Sequence, residues 1–338
     1  MSAPQTDISW DAACEAILRH AGEERVEELA ELVTRIARPM LTGSKYRRFF
    51  RACENAGIHV TPVHFYQPLP DTRALPESLW QGDRPTPGID WNEAEQLRLL
   101  REEFPKFREE YDALPTAPTG NPAEFHLNGG MFDGTDALAL YCMVRHIQPK
   151  TVLEIGSGLS SLISAQAALK NGHTELVCIE PYPNDVLRAG FPGLTELIAE
   201  PVQNIPIDRF DRLVENDILF IDSSHVATIG SDVNYLFLEV LPRLRPGVIV
   251  HVHDIFLPRE YRRDWVMEEF RFWNEQYLLQ AFLVFNAGFE ILFANSFLGA
   301  RHYAEMKVTF PHSPWWGGGS FWMRRLEKSK PPEPAQSH

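Results

Sequence analysis

The 338-residue sequence predicts an α/β fold: a doubly wound, mostly parallel seven-stranded sheet with an antiparallel last strand, plus a helical N-terminal extension. Three observations predict it. From Thr151 onward, short β-branched and apolar runs alternate with helical periods, the pattern of parallel strands covered on both faces. Thr151–Ile155 runs into Gly156-Ser157-Gly158 and then into helical spacing from Leu159 to Leu169. That strand, glycine turn and helix start present bare backbone N–H groups at the C-terminal edge of a sheet. The last two strand candidates are separated by Arg301–Gly319, an aromatic, glycine-rich segment that makes no crossover helix, so their pairing is expected to be antiparallel.

Composition narrows the class before any motif is read. The chain is 44% hydrophobic and 23% charged, the balance of a soluble globular protein long enough to bury a substantial core. A formal net charge of −14 argues against nucleic acid and anionic membranes as partners, since both attract basic faces. No apolar run approaches the roughly 20 residues of a membrane span. Met1-Ser2-Ala3-Pro4-Gln5-Thr6-Asp7 lacks the basic and apolar regions of a secretory signal. Cys14, Cys53, Cys142 and Cys178 are scattered without a Cys-x-x-Cys pair, which fits reduced thiols and a cytoplasmic location.

The order of signals divides the chain into a helical extension with a proline-rich connector (1–124), an α/β domain (125–326) and a disordered tail (327–338). Residues 9–36 read as a helix capped by Ser9 or Asp11 and frayed near Gly22, with Val26, Leu29, Val33 and Ile36 at helical spacing. Lys45–Cys53 reads as a short basic-aromatic helix. Ile58–Phe65, alternating and β-branched, reads as a strand. Pro68, Pro70, Pro76, Pro85 and Pro87 exclude regular structure from 66–89. Asp90-Trp91-Asn92-Glu93 carries a capping-box pattern. It opens a helix with an apolar stripe of Leu97, Leu100, Phe104, Phe107 and Tyr111, kinked at Pro105. After a turn-rich break over 114–123, Asn128–Asp136 holds three glycines in six residues, either a simple helix entry or a loop passing close to a ligand. The helix after it runs to Ile147, with Leu140, Val144 and Ile147 as its core face. Strands are expected at Val152–Ile155, Leu176–Ile179, Leu194–Ile198, Ile218–Ile221, Val248–Val252, Glu290–Ala294 and Ser320–Met323.

Two acids refine the glycine turn. Glu180 ends the second strand, 22 residues after Gly158, where an acid in a βαβ unit holds the two hydroxyls of a bound ribose. The plainer alternative is a solvated strand-end carboxylate. Ser161 stands where a dinucleotide fingerprint has its third glycine. Glu154, just before the turn, would repel a pyrophosphate but can receive an ammonium group.

Val152-Leu153-Glu154-Ile155-Gly156-Ser157-Gly158, with Glu180 beyond it, resembles the first motif and following acidic strand end of class I S-adenosylmethionine-dependent methyltransferases, whose sheet is Rossmann-like. Ile218-Leu219-Phe220-Ile221-Asp222-Ser223-Ser224-His225 resembles their fourth-strand motif. Leu244 to Asp254, with Gly247 and His253, resembles their loop and fifth strand. The D-x-x-H and H-D pattern is similar to a small-molecule branch, over roughly residues 125–326. The resemblance implies S-adenosyl-L-methionine as cofactor, with Glu154, Gly156, Ser157 and Gly158 along its methionine part and Glu180 on its ribose. Gln203 would sit near the adenine, Asp222 in the crevice above the cofactor, and Asn128–Asp136 would close over the methionine end.

Asp222 and Asp254 end adjacent strands, so both carboxylates point into that crevice. By the same resemblance, metal-dependent O-methyltransferases use acids here to hold magnesium, which lowers the pKa of an acceptor hydroxyl. Ile255 replaces their usual third oxygen ligand. His225 or His253 could substitute in a site better suited to zinc, iron or manganese. Without a metal, His225 is the candidate general base. The candidate catalytic residues are therefore His225, His253 and Asp254, and the candidate metal ligands Asp222 and Asp254. His251, one pleat deeper than His253, reads as a core histidine. The helix expected after Asp254 carries Tyr261, Trp265, Phe270, Phe272, Trp273 and Tyr277. His312, Trp315, Trp316 and Gly317–Gly319 follow later, as a substrate wall or as hydrophobic cover.

The function read from these residues is S-adenosylmethionine-dependent methylation of a small molecule, on oxygen in preference to nitrogen. The need for a divalent metal, magnesium or another, stays open, as does a homo-oligomer. Two rivals remain. An NAD(P)-dependent oxidoreductase is disfavoured by Glu154 and the missing third glycine. A non-catalytic ligand-binding protein on the same fold would tolerate loss of Asp222, His225 and Asp254.

Overall fold

The computed structural model describes residues 25–327. The chain divides into two compact units, residues 1–75 and Pro76–His338. The expectations for residues 9–24, including Cys14, and for the tail from Lys328 onward lie outside the described residues. Among the described residues no helix is long and apolar enough to cross a membrane.

In the first unit, helices Val26–Ala37 and Gly43–Asn55 follow one another through a short 3-10 turn, Arg38–Met40. Tyr46 packs edge-on against Phe50, which stacks on His59. Ile58–Phe65 forms no strand. Its alternation is real, but no strand among the described residues of this unit offers it an edge, and an unpaired strand is not stable alone. Ile58 and Phe65 stay exposed.

The second unit is built on a seven-stranded sheet: β1 Thr151–Ile155, β2 Glu175–Ile179, β3 Leu194–Ile198, β4 Ile218–Ile221, β5 Ile249–Val252, β6 Phe289–Ala294 and β7 Phe321–Arg325. Their spatial order is β3-β2-β1-β4-β5-β7-β6. The pairs among β1 to β5 are parallel; β7 runs antiparallel to both β5 and β6. Every expected strand is present, with ends moved by at most two residues. All four residues of β4 and of β5 are buried, as continuous apolar runs between two helical layers require.

Around the sheet, several local expectations are corrected. The connector holds two 3-10 turns, Thr72–Ala74 and Glu77–Trp80, within its irregular path. The capping box at Asp90–Glu93 does not form. Asn92 is left-handed (φ +46°) and its amide donates to the Ile291 carbonyl, while the Asp90 carboxylate accepts the Asn92 N–H. The helix from Glu93 is regular only to Arg98, then widens to a π turn (Leu99–Glu103) and tightens to 3-10 at Phe104–Phe107, where Pro105 lacks a donor. Gln96, fully buried, clamps this segment to the end of β6: its Oε1 accepts the Ala294 N–H at 2.9 Å and its Nε2 donates to the Trp91 carbonyl. The Gly134–Ile147 helix is buried on all sides from Gly134 to Val144, not along one face alone.

β1 and β4 are parallel neighbours from which the strand order runs outward in opposite directions, and the crevice at their C-terminal ends is where such sheets hold ligands. There Gly156 has φ +76°, and a Cβ on it would lie 1.8 Å from the Asp222 carbonyl oxygen. Beneath the turn, Glu154 is fully buried. Its Oε1 accepts from the hydroxyls of Ser160 and Ser161, each at 2.7 Å, and Ser161 Oγ in turn accepts the Gly158 N–H at 3.1 Å. Ser161 thus supplies what a third glycine could not, a hydroxyl linking the buried acid to the turn.

Burial pushes the Glu154 carboxyl up to about 7, against the pull of Ser161 and Ser160, from a usual value of 4.5. A group whose folded pKa is raised binds its proton more tightly when folded. Its stabilisation is complete below about pH 4.5 and is lost as pH rises through 7. That difference corresponds to roughly 3 kcal/mol at most. Glu154→Gln keeps the shape without the titration, so between pH 5 and 8 its unfolding free energy should fall less than that of the wild type. Urea denaturation at each pH measures this; parallel pH profiles would refute the assignment.

Candidate functional site

A cavity of about 1050 Å³ opens over the C-terminal ends of β1, β4 and β5. Gly156, Ser157, Gly158, Glu180, Asp222, His225, His253 and Asp254 all line it. An adjoining cavity of about 580 Å³ shares Gly156, Glu180 and Asp222 and is bounded by Gln203. The strand ends thus bring together nine of the ten residues singled out from the sequence. Glu154 is the exception. Expected to face the cofactor, it lies under the turn with no exposed surface, because Ser160 and Ser161 draw its carboxylate beneath the helix start. Glu180 does face the crevice: its Oε2 accepts the Ser157 N–H at 3.1 Å and its Oε1 the Tyr182 N–H at 2.7 Å.

The floor of the larger cavity is an acid–histidine cluster. Asp222, His225 and Asp254 each offer one ligand atom, all within 4.8 Å of one another. His225 Nε2 lies 3.3 Å from Asp222 Oδ1 and 3.5 Å from Asp254 Oδ2. Its Nδ1 lies 2.9 Å from Glu275 Oε2, a buried carboxylate 50 residues away. With Nδ1 donating to Glu275, Nε2 is turned to the two aspartates and can carry either a proton or a metal ion. Burial opposes charge on the His225 ring, yet Asp222 and Glu275 together raise its pKa well above the usual histidine value. Burial likewise pushes Asp222 up, but His253 and His225 outweigh it and hold the carboxyl below its usual range. For His253, burial is outweighed by Asp222, Asp254 and Asp136, so its pKa is raised.

Two backbone positions here are strained. His225 has φ +61° and Asp254 φ +54°, left-handed conformations that cost non-glycine residues on the order of 1–3 kcal/mol each. The His225 carbonyl accepts the N–H groups of Asn274 and Glu275, and the Ile255 N–H donates to the Gly319 carbonyl. These bonds hold both side chains at the floor.

The walls come from loops. Gly130, Phe132, Asp133 and Asp136 line the cavity, so the Asn128–Asp136 loop passes beside it. Asp136, buried at the helix start, accepts the N–H groups of Gly319 and Ser320 and the Asn295 amide, tying the glycine segment across the cavity's edge. Trp315 lines the cavity and donates from Nε1 to Asp133 Oδ1 at 2.9 Å, whereas Trp316 packs on the core and donates to the Phe310 carbonyl. The single aromatic helix expected after Asp254 is two: Arg263–Met267 and Glu275–Leu283. Phe270, at φ +57°, breaks the chain between them, which turns Trp265 and Trp273 into the cavity. His251 stacks between Phe220 and Trp322, and burial pushes its pKa well below the usual value, so it is a neutral core histidine.

Glu275 and the clamp made by Asp136 were not legible. Glu275 reads locally as an ordinary first-turn acid, and only the fold brings it to His225.

A family model described as a methyltransferase domain matches residues 153–255. An uncharacterised protein of Archaeoglobus fulgidus is 37% identical over 166 residues, which cover 46% of this chain and 75% of that protein. Solved structures similar to the chain include an O-methyltransferase from Bacillus cereus in complex with S-adenosylhomocysteine (13% identity, 70% of this chain and 98% of that one, TM-score 0.34). Another is the plantazolicin methyltransferase BpumL in complex with a monoazolic desmethylPZN analog and S-adenosylhomocysteine (12% identity, 69% and 94%, TM-score 0.38). With the glycine turn, the acid on β2 and the strand-end motifs lining one cavity, the chain belongs to the class I S-adenosylmethionine-dependent methyltransferase family.

Proposed function

We propose that this methyltransferase acts on a hydroxyl oxygen of a small molecule. The observation that carries the reading is the cluster of Asp222, His225 and Asp254 on the cavity floor, beside the glycine turn. An amine with a free lone pair can attack a sulfonium methyl unaided. A hydroxyl needs its proton removed or its pKa lowered, and acids paired with an imidazole are the equipment for that.

In this reading Gly156, Ser157 and Gly158, whose N–H groups are bonded to Ile179, Glu180 and Ser161 and so are not the bare donors expected from the sequence, let the methionine end of the cofactor come close to the backbone, with Asn128–Asp136 across from them. Glu180 receives the ribose hydroxyls, and Gln203 bounds the outer cavity where the adenine lies. Glu154 acts through Ser160 and Ser161, by holding the turn. Asp222 Oδ1, His225 Nε2 and Asp254 Oδ2 fit a divalent ion, because a set of two carboxylates and one imidazole suits manganese, iron or zinc better than magnesium. An ion bound there would lower the pKa of the acceptor hydroxyl. Glu275 keeps Nδ1 protonated and Nε2 directed at the aspartates. The cavity walls exclude water and hold the acceptor oxygen in line with the methyl group.

Calorimetry with S-adenosylhomocysteine tests the cofactor half. Binding is expected, weakened about 10- to 100-fold by Glu180→Ala, the cost of losing hydrogen bonds to a charged group. Binding of NADH with none of S-adenosylhomocysteine would overturn the reading in favour of an oxidoreductase.

Titration with Mn²⁺ or Zn²⁺ tests the floor. Glu275→Gln should lower metal affinity about 10- to 100-fold, and Asp254→Asn should lower it further, while S-adenosylhomocysteine still binds. Unchanged metal affinity in both variants would remove the cluster from the mechanism.

A further inference from the structure

The floor of the large cavity is acidic, and its mouth carries two arginines, each paired with an acid. Asp222, Asp254 and Glu180 stand at the strand ends. Apart from its two histidines, the cations lining the cavity are Arg262 and Arg271, both on the segment that walls the mouth. Both guanidinium groups lie on the Trp265 ring, at 5.1 and 5.0 Å, and Arg271 also lies 5.3 Å from Trp273. The Trp273 ring is 4.4 Å from His225. One indole therefore separates the Arg271 guanidinium from the acid–histidine cluster. Asp264 braces Arg262 and Glu269 braces Arg271. Each acid occupies part of a five-donor fork and leaves other N–H groups to receive a ligand.

We propose that the acceptor is an aromatic hydroxy acid whose carboxylate is received by Arg271 and Arg262. Its hydroxyl reaches Asp222, His225 and Asp254, and its ring spans the distance between them beside Trp273. This rests on the methyl-transfer reading above. The guanidinium N–H groups left open by Asp264 and Glu269 supply the orientation. The acidic floor repels a carboxylate and the arginines attract it, so the uncharged hydroxyl end enters first. A cationic acceptor would be drawn in by its charged end, placing the wrong atom at the methyl. In the transfer, an oxygen lone pair forms the O–CH₃ bond as the S–CH₃ bond breaks. The bonding pair stays on sulfur, and the phenolic proton passes to solvent.

The test uses tryptophan fluorescence of the full chain saturated with S-adenosylhomocysteine, titrated with 3,4-dihydroxybenzoate and with its uncharged isostere 3,4-dihydroxybenzamide. The carboxylate should bind at least about tenfold more tightly, as a charge-assisted fork contact would give. Arg271→Gln combined with Arg262→Gln should abolish that preference while S-adenosylhomocysteine still binds, which shows that the variant is folded. Equal binding of the two probes by the wild type, a preference that survives both substitutions, or no quenching by either probe at millimolar concentration would overturn the proposal. Failure of S-adenosylhomocysteine to bind the wild type would instead overturn the methyl-transfer reading.

Discussion

The site depends on how closely β1 and β4 approach at their C-terminal ends. The Asp222 carbonyl lies where a Cβ on residue 156 would be, so only glycine lets the two strand ends close. That approach places the turn over Glu180 on one side and the Asp222 carboxylate on the other, and both cavities share these residues. Any side chain at Gly156 would have to part the strands at the point where the strand order reverses. Glu154 supports the same point from below through the hydroxyls of Ser160 and Ser161.

The second constraint is electrostatic. Asp222, Asp254 and Glu275 surround one imidazole in a region with little access to water. Such a concentration of carboxylates needs positive charge among them, since an isolated buried charge is costly. A proton on His225 meets that need, and so would a divalent ion. The left-handed backbone at His225 and Asp254 is the strain accepted to aim these groups at one another. The arginines at the mouth are each paired with an acid, Arg262 with Asp264 and Arg271 with Glu269.

The sheet was legible because its strands are short apolar runs, and β1, β2 and β4 run directly into Gly156, Glu180 and Asp222, candidate residues adjacent in sequence to the strands that place them. What escaped was whatever depends on contacts across the fold. The position of Glu154 before the glycine turn was plain, but whether its carboxylate turns outward or under the helix depends on the hydroxyls of Ser160 and Ser161. Glu275 carries no local sign of its bond to His225. The aromatic period from Tyr261 to Tyr277 looked helical because nothing in it announces the left-handed Phe270. Ile58–Phe65 had the alternation of a strand without an edge to join.

One crevice is expected to hold both the methyl donor and the acid–histidine centre. Diffraction from crystals grown with S-adenosylhomocysteine and Mn²⁺, collected at the manganese edge, tests it most directly. The expected result is the homocysteine sulfur above Gly156–Gly158, the ribose on Glu180, and an anomalous peak bonded to Asp222, His225 Nε2 and Asp254. A ligand bound away from the turn, or manganese held by other residues, would contradict it.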